Sequence, residues 1–103
     1  MKKLEFDKTL VCSTTHFTDD DNVALAKFAK EHAHAPDTSE HFIADLGYGY
    51  IVWVNSDGAF TEYDGVLSDA FVKVLEFAHR QGAQWVRFDR DALEIEGLQT
   101  FEW

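Results

Sequence analysis

The chain has 103 residues, 46% of them hydrophobic, with nine Phe, three Tyr and three Trp against six Gly and one Pro. That is the length of one domain with enough apolar content for a packed core, which excludes a disordered or collagen-like chain. Nineteen carboxylates against nine Lys and Arg leave a formal net charge of −10, beyond the magnitude of about 2–8 that suits a small soluble domain. Such a balance repels nucleic acid and anionic membranes and attracts basic surfaces.

The opening MKKLEFDK carries two lysines with no apolar run behind them, so a signal peptide is not expected. No stretch approaches the ~18 apolar residues of a membrane span. Cys12 is the single cysteine and cannot close an intramolecular disulfide, which points to a reducing, cytoplasmic setting. Residues 9–13, TLVCS, are apolar and β-branched and predict a buried strand. Thr18 then suits a helix N-cap, with Asp19, Asp20 and Asp21 in the first turn, where the positive end of the helix dipole stabilises carboxylates. Thr18 and Asp21 also approximate a capping box. Leu25, Phe28, Ala29 and His32 recur at helical spacing, and Ala35 with Pro36 should end the element.

Residues 41–54 read as two strands broken near Gly47 or Gly49. The run Asn55, Ser56, Asp57, Gly58 is a turn signal, after which residues 59–63 are expected to return as a hairpin partner. From about residue 66 to 81, Leu67, Ala70, Phe71, Val74, Leu75 and Ala78 have helical period, with His79 and Arg80 in the last turn and Gly82 as the stop. Residues 84–88 predict a strand, and residues 93–96 with 100–103 a further edge strand. The expected fold is α+β: two helices packed on one face of a mostly antiparallel sheet of four or five strands, in the βαββαβ order of ferredoxin-like domains.

Candidate chemistry is sparse. The Asn55–Gly58 run with Asp64 echoes part of a calcium loop, but Trp53 stands where the first carboxylate ligand belongs. His32 and His34 are two apart and would point to different helix faces, and no zinc spacing occurs. Cys12 and His16 form a conceivable nucleophile and base, yet a cysteine in an apolar strand is ordinarily inert. No enzyme activity, metal or cofactor is expected. Tyr48, Tyr50, Trp53, Trp85 and Trp103 lack the basic groove that accompanies base-stacking platforms; they read as core, with one or two anchoring a protein interface.

The charge is also lopsided. Between Lys30 and Lys73 there is no Lys or Arg, while that interval holds Glu31, Asp37, Glu40, Asp45, Asp57, Glu62, Asp64 and Asp69. Three stretches resemble a family of small proteins carried by plasmids, prophages and other mobile elements: Cys12 to His16 followed by Thr18, the run YGYIVWV at 48–54, and EGLQTFEW at 96–103. In size, acidity and that association the chain is similar to anti-CRISPR proteins, with a type I-C effector as the candidate target. The resemblance implies a DNA mimic that occupies the basic DNA- or PAM-binding surface of a CRISPR effector complex. The expected contacts are Asp19, Asp20, Asp21, Asp57, Glu62, Asp64, Asp89, Asp91, Glu94 and Glu96. The expected partner is that basic protein complex, with no direct nucleic acid and no membrane, and the chain itself is expected to be a monomer. The alternative is a mobile-element regulatory or antitoxin-like module that binds protein through an apolar interface.

Overall fold

A computed structural model of the chain describes residues 4–32 and 42–103, without the side chain of His32. The elements follow the order β1 (Thr9–Ser13), α1 (Asp19–His32), β2 (Ile43–Asp45), β3 (Gly49–Trp53), α2 (Asp69–Arg80) and β4 (Trp85–Asp89). The fold is α+β, with the expected βαββαβ order and four strands in the spatial order β1-β4-β3-β2. β2 with β3 and β3 with β4 are antiparallel, while β1 lies on the edge parallel to β4, so the expected order of elements is carried by a mixed sheet.

One sheet face makes the core. Val86 and Phe88 of β4 lie level with Leu10 and Cys12 on one side and with Val52 and Tyr50 on the other. Phe17, Leu25, Phe71, Val74 and Leu75 close over them, all at most 1% exposed. Phe71 stacks on Phe88 at 5.5 Å, and Phe17 meets the same ring edge-on at 5.2 Å. Each such side chain contributes about 1.5–3 kcal/mol by leaving water.

The helix ends are set by local chemistry. The Asp21 N–H donates to Thr18 Oγ1 at 3.0 Å while the Thr18 N–H donates to Asp21 Oδ2 at 2.9 Å, the reciprocal capping box. Ser68 caps α2 by accepting the Phe71 N–H. α2 starts at Asp69, later than its periodicity suggests, because the Val66 and Leu67 N–H groups are bound to the Tyr63 carbonyl. At its far end Gly82, with φ +76°, donates to the His79 carbonyl and Ala83 to the Ala78 carbonyl, the paired bonds of a Schellman stop. The expected stop of α1 at Ala35 and Pro36, and His34, lie outside the described residues.

Two expectations are corrected. Residues 59–63 do not return as a strand; a single 3-10 turn, Thr61–Tyr63, stands there. Its buried side chains, Phe60 and Tyr63, are three apart, which suits one face of a tight turn and not the two-residue period of a strand. The hairpin is instead β2–β3, closed by the Leu46 N–H on the Gly49 carbonyl at 2.9 Å. Gly49 is required there, since a Cβ would sit 1.7 Å from the Phe88 carbonyl oxygen. The tail likewise adds no strand: its half-buried apolar residues Ile95 and Leu98 are again three apart, and its backbone is bound to the loop after β1.

Candidate partner-binding surface

Register places charge. β1, β2 and β4 all end, and β3 begins, at the same end of the sheet, where Ser13, Asp89 and Gly49 stand in one row and Asp45 opposes Tyr50. α1 and α2 both start there, since Asp21 in the first turn of α1 accepts the N–H and the hydroxyl of Ser68, the α2 cap, through Oδ1 and Oδ2. The first turns bring Asp19, Asp20 and Asp69 to this end. The tail adds Asp91, Glu94 and Glu96, all exposed.

The tail is held by the loop that carries the Cys12–His16 run. Ser13 donates its N–H to the Leu93 carbonyl at 3.0 Å and Phe101 donates to the Thr15 carbonyl at 2.8 Å. Thr15 Oγ1 donates to Glu94 Oε2 at 2.7 Å. His16 is fully buried: its Nδ1 lies 2.9 Å from the Gln99 carbonyl and its Nε2 accepts the Ile95 N–H at 2.8 Å. Those partners assign the neutral ring with its proton on Nδ1. Trp103 closes the knot, its Nε1 donating to the Phe17 carbonyl at 2.9 Å and its ring 5.8 Å from that of Phe17.

A cleft of about 260 Å³ opens beside this knot, lined by Thr14, Asn22, Asp45, Tyr48, Arg90 and Trp103. Tyr50 at its base donates its hydroxyl to Asn22 Oδ1 at 3.1 Å. Burial, and next the nearby Asp45 charge, raise the phenol above its ordinary range. The three sequence stretches singled out for resemblance therefore converge on one place. With both His16 nitrogens engaged and burial pushing the fully buried Cys12 thiol up to about 12, neither side chain is presented for nucleophilic chemistry.

Residues 9–103 match the sequence model of a family of unknown function, the DUF5983 C-terminal domain. The chain belongs to the DUF5983 family. The match takes in all four strands and both helices, so the knot and cleft lie inside the family's domain. No curated protein matches the chain, and no solved structure does. Among the described residues, no helix is long and apolar enough to cross a membrane.

The carboxylates expected to act together are divided by the fold. Asp19, Asp20, Asp89, Asp91, Glu94 and Glu96 share the end just described, although Asp89 is half-buried and its Oδ1 accepts the Asp91 N–H. Asp21 is a correction: it is 2% exposed and its oxygens are taken by Thr18 and Ser68, so it offers nothing to a partner. Asp57 and Glu62 stand apart from this group, at the opposite end of the sheet. There Asp57 Oδ1 accepts the Ala59 N–H, and Glu62 accepts from Asn55, just past the strand end where the Val54 N–H meets the Gln84 carbonyl. Asp64 lies exposed on the segment returning from that end to α2. Asp45, Asp69 and Arg90 were missed. The signal for the two aspartates was faint: each stands at a strand or helix terminus, and only the strand order shows that those termini coincide.

Proposed function

We propose that this DUF5983 protein is a non-catalytic inhibitor that seats its acidic end on the basic surface of a nucleic-acid-binding protein complex in the bacterial cytoplasm and keeps target DNA out. A type I-C CRISPR effector is the candidate partner. The observation that carries the reading is the gathering of exposed Asp19, Asp20, Asp45, Asp69, Asp91, Glu94 and Glu96 at one end of the sheet. The described hydrogen bonds to Asp45 and Glu94 come from a backbone N–H and a hydroxyl, not from Lys or Arg. Such a field attracts a phosphate-binding groove, and a folded mimic avoids the ordering cost of a flexible acidic tail.

The test is displacement of labelled target DNA from a purified type I-C effector at rising salt. Displacement should weaken steeply as salt is added, and a variant with Asp91→Asn, Glu94→Gln and Glu96→Gln should displace poorly while Asp57→Asn with Asp64→Asn displaces normally. Displacement indifferent to salt and to all these changes would sink the proposal. One observation favours the second reading, an apolar protein-binding module: Tyr48 and Trp103 stand 38% and 56% exposed on the cleft. On that reading Trp103→Ala abolishes partner binding and the charge variants leave it intact.

A further inference from the structure

The sheet face turned away from the helices is organised in rows. Thr9, Trp85 and Trp53 form one, extended by Phe42, whose carbonyl accepts the Trp53 N–H. Val11, Arg87, Ile51 and Ala44 form the next. The Trp53 and Trp85 rings meet edge-on at 4.8 Å, and Phe42 meets Trp85 at 5.7 Å. A sheet face left to water ordinarily alternates to polar residues; the half-buried side chains here are aromatic and aliphatic around Arg87. Arg87 Nε is buried and has no hydrogen-bond partner among the described residues. Leaving that donor unpaired has a cost, and Arg87 as a whole is only half-buried, so its guanidinium remains open to an acidic group brought against the face.

We infer that this face binds a second copy of the same chain. The rows differ in kind: one carries Trp85, Trp53 and Phe42, the other the Arg87 cation between Val11 and Ile51. A two-fold axis lying between the stacked faces, across the strands, sets the aromatic row of each copy on the Arg87 row of the other. Arg87 then rests on the indole rings of the second copy, a favourable seat for a guanidinium. It also reaches toward Asp7 there, whose carboxylate accepts the Trp85 Nε1–H at 3.3 Å and so stands at the margin of the aromatic row. The same antiparallel stacking sends the two acidic ends in opposite directions, which keeps a net charge of −10 per chain from converging. The sequence alone suggested a monomer; the face argues for a pair, independently of what the acidic end binds.

Sedimentation equilibrium of the full chain tests this. The expected mass is twice 11.8 kDa, weakening at least about tenfold in Arg87→Asp, which sets carboxylate against carboxylate, and in Asp7→Arg, which lies outside the strands and leaves the core untouched. The double variant Arg87→Asp, Asp7→Arg should recover the dimer, a recovery that no folding defect produces. A mass of 11.8 kDa up to about 1 mM chain, a dimer indifferent to both single changes, or a double variant no better than either single overturns the inference.

Discussion

The two ends of the sheet treat charge differently: one gathers carboxylates, the other mixes Asp57 and Glu62 with Lys8 and Arg80. At one end stand Asp19, Asp20, Asp45, Asp69, Asp91, Glu94 and Glu96, with Arg90 lining the cleft. At the other, Lys8 Nζ donates to the Gln81 carbonyl at 2.7 Å beyond the end of α2, Arg80 stands in its last turn, and His79 Nε2 lies 3.0 Å from the Ser56 carbonyl. Both helices start at the acidic end, so their positive dipole ends meet carboxylates, and α2 finishes among cations. Helix direction therefore accounts for Asp19, Asp20 and Asp69. It does not account for Asp91, Glu94 and Glu96, which stand on no helix; of these Glu94 is held by the Thr15 hydroxyl.

The sharpest contrast within the acidic end is Asp21 against its neighbour. Asp21→Ala leaves the Thr18 and Ser68 N–H groups without their acceptor and should cost about 3 kcal/mol in urea unfolding. Asp20→Ala, at an exposed position, should cost only about 0.5 kcal/mol; equal losses would break the distinction between a buried strut and a surface charge. His16→Leu orphans the Ile95 N–H and the Gln99 carbonyl and should cost about 2 kcal/mol. It should also free the tail, read as faster amide exchange at Ile95 and Phe101.

Alkaline pH probes the core between the two ends. The Cys12 thiol ionises at about 12 in the fold against an ordinary 9.0, so the unfolded chain loses its proton first. The stability tied to that proton is complete below pH 9 and is lost as pH rises toward 12, at about 1.4 kcal/mol per pH unit. Tyr50 and Tyr63, both raised chiefly by burial, add to the loss above pH 10. Cys12→Ala should remove the thiol's share of the slope measured by urea unfolding across that range.

The smallest effect sharpens the comparison most. Replacing Asp19 and Asp20 by Asn should destabilise by about 0.3–1 kcal/mol per site, because a helix dipole loses its counter-charge. Replacing Asp91 by Asn and Glu94 and Glu96 by Gln should leave stability within about 0.5 kcal/mol or raise it slightly, because repulsion falls. Thermal unfolding of the two variants side by side distinguishes them.

Short-range chemistry was legible in the sequence: the TLVCS strand, the Thr18 capping box, the apolar stripe of α2 with its Gly82 stop, and the βαββαβ order all rest on residues within about four positions of one another. Tertiary structure decided the rest. Phe60 with Tyr63, and Ile95 with Leu98, carry a three-residue spacing that only packing against the core resolves into turns instead of strands. Asp21 resembles Asp19 and Asp20 along the chain, yet Ser68, distant in sequence, turns it into an internal strut. Which carboxylates share an end, that His16 is spent on the tail, and that Arg87 lies among aromatics follow from strand order and register. These are long-range pairings, and no local pattern encodes them.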